Sequence, residues 1–192
     1  DYQRSGVQRI IDNPFHALWL DMGLGKSVTS LTAIAYLSDA MEVNKVLIIA
    51  PLRVANQTWH KELLNWKHTK HLTYSICTGS EKNRLAALHK DADVYIINRE
   101  NVVWLVDHYK AKWPFDMVVI DEASSFKSTK AQRWKALRKV RPYIDRMVAL
   151  TGTPASNGLM DVYAQIYLLD TGDRLGRNMT AFKSRYFETD FM

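Results

Sequence analysis

The sequence predicts an α/β domain in which a mostly parallel β-sheet carries helices on both faces. The first observation is that six short apolar runs alternate with longer stretches of helical periodicity. The second is that most of these runs are continuously apolar, as strands buried on both faces of a parallel sheet are. Parallel strands need crossover connections, and right-handed helical crossovers cover the sheet. The 192 residues suffice for one well-filled domain.

In chain order, the predicted strands and helices alternate. Strands are predicted at residues 17–20, 46–50, 72–77, 94–97, 117–120 and 147–150. Helices are predicted at residues 27–37, 54–66, 84–89, 100–109, 130–140 and 159–169. In the second helix Trp59, Leu63 and Trp66 recur at i, i+4 and i+7, which indicates a stripe that packs into the core.

The composition excludes several classes of protein. Hydrophobic residues make up 47% and charged residues 24% of the chain, which excludes a disordered protein. No apolar run approaches the roughly 18 residues of a membrane helix, so no membrane partner is expected. Residues 1–4 carry no signal segment. The single cysteine, Cys77, fits a reducing compartment, and we expect a cytoplasmic protein.

The positive charge is concentrated in two blocks. Residues 53–90 carry seven Lys and Arg against two Glu, and residues 127–146 carry eight against one Asp. The net charge of the whole chain is only +6, so the remainder is acidic. Such polarity is typical of a protein that binds a polyanion, although two solvated helix faces would also explain it.

A glycine-rich turn joins the first predicted strand to the first predicted helix. Gly23 and Gly25 permit backbone angles that point successive N–H groups inward, and the helix begins immediately afterwards. Lys26 would contact the β- and γ-phosphates of a nucleotide, and the Ser27 hydroxyl would ligate Mg²⁺. The full pattern has a glycine where Leu20 stands. A plain strand-to-helix turn is the alternative.

Two adjacent carboxylates follow the strand predicted at residues 117–120. Asp121 would hold Mg²⁺, mostly through water, and Glu122 would orient and deprotonate an attacking water. Ligands of open α/β folds bind at the carboxyl edge of the sheet, where these residues are expected. The alternative is a surface pair that caps the next helix. Together with the glycine-rich turn, the pair is stronger evidence of a nucleotide site than either motif alone.

Read in order, these segments resemble the first RecA-like domain of superfamily-2 helicases, and most of all the Swi/Snf-type DNA translocases. The translocase form of the phosphate loop often lacks the upstream glycine. The resemblance runs from residue 2 to about residue 170, through Tyr2-Gln3 with Gly6-Val7, residues 21–27, Ile49-Ala50-Pro51 with Trp59, Glu62 and Trp66, residues 74–79, Ile96-Ile97-Asn98, residues 121–124 and residues 150–154.

The resemblance implies a RecA-like P-loop NTPase fold and the ATP-binding lobe of an ATP-dependent translocase that moves on duplex DNA. Its cofactors would be ATP and Mg²⁺. The implied nucleotide-binding residues are Gln3, which reads adenine, and Met22, Gly23, Leu24, Gly25, Lys26 and Ser27. The implied coupling residues are Ser124, Thr151, Gly152 and Thr153. The residues implied to face the phosphodiester backbone of DNA are Arg53, Thr78, Gly79, Asn98 and Arg99.

Two departures from the family pattern qualify these expectations. Ser124 stands where the family usually has His, so the link from the γ-phosphate to the coupling motif is expected to differ. Residues 1–192 are expected to form one lobe, without the second RecA-like lobe that carries the family's arginine fingers. We therefore expect weak ATP hydrolysis by this chain alone. The short motif spacings point to a phage or bacterial member.

Two other classes of protein remain open on the sequence. A small P-loop kinase would explain the phosphate loop but would not need Gln3 or residues 151–154. A non-enzymatic nucleic-acid-binding module would explain the basic blocks but would leave Lys26, Asp121 and Glu122 without a role. DNA-stimulated phosphate release would argue against the kinase, and a nucleotide-dependent thermal shift would argue against the binding module.

Overall fold

The computed structural model describes residues 1–187. Its centre is a six-stranded sheet in the order β1-β6-β5-β2-β4-β3, and every neighbouring pair is parallel. The predicted α/β class with a mostly parallel sheet is confirmed. The strands are β1 (Phe15–Trp19), β2 (Val46–Ala50), β3 (Tyr74–Cys77), β4 (Val94–Asn98), β5 (Met117–Asp121) and β6 (Arg146–Thr151).

Helices cover both faces of this sheet, so every residue of the central strands β2, β4 and β5 is buried, whereas the edge strands β1 and β3 are partly buried. One buried cluster packs the first four helices against the sheet, and a second packs α5 to α8 against the other face. The helices are α1 (Tyr2–Asp12), α2 (Lys26–Asp39), α3 (Leu52–Gln57), α4 (Trp59–Asn65), α5 (Glu81–Leu88), α6 (Val102–Tyr109), α7 (Gln132–Val140), α8 (Met160–Asp170) and α9 (Met179–Tyr186).

The number of helices differs from the prediction in three places. The helix predicted at residues 54–66 is two helices that meet at Thr58, a β-branched residue of low helix propensity. Trp59 is fully buried, but Trp66 is 40% exposed, so the predicted core stripe ends before Trp66. Helices α1 and α9 were not predicted. Gly6 and Ile10 are the buried positions of α1, too few for a clear apolar period.

The parallel arrangement brings all six strand ends to the same edge of the sheet. The order of the strands divides this carboxyl edge into two halves. The ends of β1, β6 and β5 form one half, and the ends of β2, β4 and β3 form the other. Among residues 1–187, no helix is long and apolar enough to cross a membrane.

Candidate nucleotide site and nucleic-acid face

The glycine-rich turn between β1 and α2 has the backbone conformation that the sequence predicts. Gly23 and Gly25 have φ angles of 80° and 76°, in the left-handed region that glycine enters without strain. Gly25 is the N-cap of α2, and no side chain caps the first N–H groups of this helix. A Cβ at Gly25 would collide with the Gln3 amide and approach Val28. The turn therefore offers backbone donors at a positive helix end.

Lys26 and Gln3 hold the shape of this turn. The Lys26 ammonium donates to the carbonyl oxygens of Leu20 at 2.7 Å and Asp21 at 3.0 Å, so its charge is held over the loop. The Gln3 amide donates to the Leu24 carbonyl at 3.4 Å, which ties α1 to the flank of the loop. Both of these side chains, which the sequence assigns to nucleotide binding with residues 22–25 and Ser27, therefore lie at the turn.

Asp121 ends β5 in a buried position, 9% exposed. Its Oδ2 accepts a hydrogen bond of 2.9 Å from the indole N–H of Trp59, which is itself fully buried. Burial raises the pKa of Asp121; the Trp59 hydrogen bond and the Lys26 charge oppose this shift, and the neighbouring Glu122 adds to it. The carboxylate is thus fixed by the indole and lies within the field of the phosphate-loop lysine.

Glu122 lies in the left-handed region of backbone space, with φ 53° and ψ 57°. A residue with a Cβ rarely adopts this conformation, and such strain clusters at functional sites. The short 3₁₀ turn Ala123–Phe126 follows directly, and Ser124 lies half-buried within it. The strained position turns the chain sharply at the carboxyl edge, beside the end of β6.

The segment after β6 contacts the phosphate loop. Strand β6 lies between β1 and β5, and it ends at the fully buried Thr151. The Thr153 amide donates to the Thr151 hydroxyl at 3.1 Å. A Cβ on Gly152 would lie 3.3 Å from the Leu20 carbonyl oxygen and 3.6 Å from the Met22 nitrogen. An alanine here would therefore require the Leu20 carbonyl to shift by a few tenths of an ångström.

A second link joins the segments that follow β5 and β6. The Lys127 ammonium donates to the Ser156 hydroxyl at 3.0 Å and lies 3.4 Å from an Asp161 carboxylate oxygen. The same carboxylate accepts the Asn157 amide at 2.8 Å. These bonds connect the turn that holds Ser124 to the loop after residues 151–153. No pattern in the sequence indicates this link, because it joins residues that are far apart in the chain.

The residues assigned to nucleic-acid contact follow β2, β3 and β4. Arg53 is exposed in the first turn of α3. The Thr78 hydroxyl donates to Asn56 at 2.7 Å, and the neighbouring Gly79 carbonyl accepts from Arg84 at 2.6 Å. All of them therefore lie along the second half of the carboxyl edge.

Asn98 and Arg99 form hydrogen bonds and an ion pair with the residues that follow them in the turn after β4. Asn98 is 5% exposed; its amide donates to Glu100 at 2.8 Å and its carbonyl accepts from Asn101 at 2.6 Å. Arg99 pairs with Glu100 at 3.2 Å. Burial opposes the ionisation of Glu100, but these hydrogen bonds outweigh it, and its pKa lies below the usual value. The backbone of this turn is consequently held rigid at the sheet edge.

A parallel sheet with a glycine-rich turn and lysine after β1, and a paired carboxylate after β5, defines a P-loop NTPase domain of the RecA-like kind. Within that class the chain belongs to the SNF2-related domain family, whose family model matches residues 11–186. The resemblance to Swi/Snf-type translocases is confirmed.

Several known proteins are similar to this chain in sequence. Protein p41 of Acyrthosiphon pisum secondary endosymbiont phage 1 is 40% identical over 97% of this chain and 42% of its own length. The chromatin-remodeling ATPase INO80 of Neurospora crassa is 29% identical over 88% of this chain and 9% of its own. The human DNA excision repair protein ERCC-6-like is 30% identical over 86% of this chain and 13% of its own. The chain therefore spans less than half the length of each.

The fold is also found in solved structures. The SWI2/SNF2 ATPase core of Sulfolobus solfataricus in complex with dsDNA superposes with a TM-score of 0.78 at 24% identity, over 95% of this chain and 37% of that one. The core domain of the same organism alone gives a TM-score of 0.72 at 26% identity, over 95% and 36% of the two chains. The chain therefore has the fold of one part of that ATPase core.

Proposed function

We propose that this chain is the ATP-binding lobe of a motor that couples ATP hydrolysis to movement along duplex DNA. The observation that supports this function is the division of the carboxyl edge. The nucleotide and coupling residues lie at or just after the ends of β1, β5 and β6, and Gln3 reaches them from α1. The residues assigned to nucleic acid lie at or just after the ends of β2, β3 and β4. Because β5 pairs with β2, the two halves meet within one sheet. One rigid platform can thus hold both the nucleotide and the track.

The residues of the first half fit Mg²⁺-ATP. The left-handed glycines leave the loop free of side chains at Gly23 and Gly25, and the N-terminus of α2 and the Lys26 ammonium supply positive charge for phosphate oxygens. Ser27 and Asp121 would hold the metal, and the amide of Gln3 would contact adenine. When bound, ATP supplies the phosphoryl group that is transferred and Mg²⁺ neutralises its charge.

Glu122 is the general base in this proposal. Its carboxylate would hold the attacking water and take its proton, while the neighbouring Asp121 stays fixed by Trp59. The strained backbone of Glu122 fits this role, because strain of about 1–3 kcal/mol persists only where the surrounding structure over-determines it.

The contact between Gly152 and the phosphate loop supports a coupling role for residues 151–153. Movement of the loop on nucleotide binding would be felt at Gly152, since the loop backbone lies within van der Waals reach of a Cβ placed there. Lys127 extends the route to the turn that holds Ser124. This bond offers a connection between the two segments that does not require the family's usual His at position 124.

The second half would contact the sugar-phosphate backbone without reading bases, as a motor requires. Arg53 supplies an exposed cation, and residues 78, 79, 98 and 99 supply turns held in place by hydrogen bonds. We place this activity in the cytoplasm of a bacterial or phage-infected cell, a location that suits the buried free thiol of Cys77.

The proposal includes a second RecA-like lobe. In the transition state, negative charge spreads over the equatorial oxygens of the γ-phosphoryl group, and several cations must meet it. Lys26 and the metal supply part of this charge. An arginine finger supplied across an interface is typically worth about 10³–10⁵ in rate. We therefore expect residues 1–192 alone to bind ATP and to hydrolyse it very slowly, even with DNA present.

Calorimetry with Mg²⁺-ATP tests the nucleotide site. Lys26→Ala should abolish or severely weaken binding, because it removes the ammonium held over the loop. Lys45→Ala is the matched control, since Lys45 lies at the opposite edge of the sheet and pairs with Asp91. Equal affinity of the Lys26→Ala variant and the unchanged chain would overturn the assignment.

Phosphate release in the presence of duplex DNA tests the motor. Adding the second lobe, in cis or in trans, should produce DNA-stimulated turnover, and Glu122→Gln should then abolish turnover while ATP binding stays intact. Stimulation by a small acceptor instead of DNA would indicate a kinase. Turnover by residues 1–192 alone at the rate of the two-lobe protein would contradict the proposed division of labour.

A further inference from the structure

Apart from Lys127, the second basic block has no role in the proposed motor. Four of its eight cations lie on α7, which packs against the sheet face opposite α1 and α2 rather than at the carboxyl edge. Trp134 and Leu137 bury one side of this helix. Lys135, Arg138 and Lys139 are exposed on the other side at i, i+3 and i+4, so their charges form one ridge.

This ridge borders a groove. A cavity of about 610 Å³ lies between α7, α8 and the start of α9, and Tyr163, Tyr167 and Arg177 also line it. The Arg138 guanidinium carbon lies 5.2 Å from the centre of the Tyr167 ring and 5.6 Å from that of Trp134. Cation–π contacts of this kind hold the guanidinium in position without neutralising it.

The groove has no acidic counterpart in the part of the chain that the structure describes. No carboxylate lines it, and none of its four cations, Lys135, Arg138, Lys139 and Arg177, forms an ion pair there. The negative end of the helix dipole accounts for Arg138 and Lys139 in the last turn of α7. It does not account for Lys135, one turn earlier, or for Arg177, which lies outside the helix.

We infer that this groove binds the phosphodiester backbone of a nucleic acid, as a second site separate from the carboxyl edge. Charge complementarity selects a polyanion. The aromatic lining argues against base reading, because Trp134 is 3% exposed and Tyr163 2% exposed, and the Arg138 guanidinium lies over the partly buried Tyr167 ring. The site would hold a second segment of nucleic acid without regard to its sequence. This inference does not rest on ATP binding, so either can fail alone.

The test removes two charges from the ridge and measures binding of a short fluorescein-labelled duplex by anisotropy. Lys135→Gln with Lys139→Gln leaves the buried side of α7 and the Arg138 contacts intact. The slope of log K against log salt is negative, and each lost phosphate contact lowers its magnitude by about 0.9, so we expect the magnitude to fall by about 1.8 between roughly 50 and 200 mM salt. The matched control is Arg4→Gln with Arg9→Gln, two exposed cations of α1 outside both basic blocks.

The outcomes separate the possible explanations. The second site is supported if the salt dependence of DNA binding becomes less steep only in the α7 variant, while its Mg²⁺-ATP affinity is unchanged. If the salt dependence of DNA binding falls equally in the α7 and α1 variants, net charge alone explains the binding, and the second site is overturned. A labelled poly-glutamate peptide that binds the groove more tightly than DNA identifies an acidic protein segment as the occupant and also overturns it. If DNA binding by the α7 variant is the same as that of the unchanged chain, the second site is also overturned. This holds whatever Lys26→Ala does to ATP binding.

Discussion

The indole of Trp59 is the first contact to test, because it joins the helix that follows β2 to the carboxylate that ends β5. Trp59→Phe removes the N–H that donates to Asp121 Oδ2 at 2.9 Å, and leaves that buried oxygen without its donor. Hydrogen bonds to charged groups contribute about 1.5–3 kcal/mol, and the smaller ring adds the cost of a partly filled cavity. In a domain of this size, each kcal/mol corresponds to about 2–4 °C in Tm.

The expected result is a fall in Tm of roughly 5 °C or more, together with weaker Mg²⁺-dependent ATP binding, because Asp121 loses the bond that fixes its orientation. Thermal denaturation and calorimetry measure the two effects. Replacing Trp59 by 3-benzothienylalanine, which keeps the ring shape but not the donor, should retain the packing and still weaken nucleotide binding.

Trp66→Phe is the matched control. In the unchanged chain the Trp66 indole N–H, just past the end of α4, donates to Glu62 at 3.0 Å, but Trp66 is 40% exposed, so water can replace the bond. We expect a loss below about 1 kcal/mol for this variant, as for other exposed pairs. If the two Phe variants lose equal stability, the hydrogen bond to Asp121 does not contribute the expected free energy. If the Trp59 substitutions leave ATP affinity unchanged, the bond does not position Asp121 for nucleotide binding.

Three further predictions follow from single contacts. Gly152→Ala places a Cβ 3.3 Å from the Leu20 carbonyl oxygen, so calorimetry should show weaker ATP binding in a variant that remains folded. Lys127→Met breaks the link to Asp161 and should reduce DNA-stimulated hydrolysis by the two-lobe protein more than it reduces ATP affinity. Burial and two arginines lower the pKa of His16 from 6.5, so the free energy of unfolding should fall as pH drops below about 6.5, and His16→Gln should flatten this dependence in urea titrations.

The strands were predictable where the sequence is unambiguous. Strand β2 begins and ends as predicted, because residues 46–50 are apolar and flanked by polar residues or proline. Strand β1 begins two residues before its prediction, since it lies at the sheet edge and its first residues are only partly buried. Strand β3 begins two residues later than predicted, because Thr73 is held by Asp93 outside the strand.

The phosphate loop was predictable because its residues are consecutive and their conformation is local. The Trp59–Asp121 bond and the Lys127–Asp161 link were not, because they join residues separated by 62 and 34 positions in the chain, and tertiary packing alone brings them together. The apolar period of residues 59, 63 and 66 predicts that Trp59 is buried, but it does not predict which acceptor its indole N–H contacts. The roles assigned to the individual site residues stay predictions until the variants are measured.

At Glu122 the requirements of folding stability and of ATP hydrolysis oppose each other, because the left-handed backbone favours glycine whereas the proposed base needs a carboxylate. Because glycine enters this region freely, Glu122→Gly should remove strain of about 1–3 kcal/mol and at the same time delete the proposed base. Some of that gain would be lost to the greater entropy of glycine in the unfolded chain. Selection for turnover would keep the costlier residue, whereas selection for thermal endurance alone would favour glycine. The same substitution offers a durable, non-hydrolysing form in which nucleotide complexes could be trapped for crystallisation.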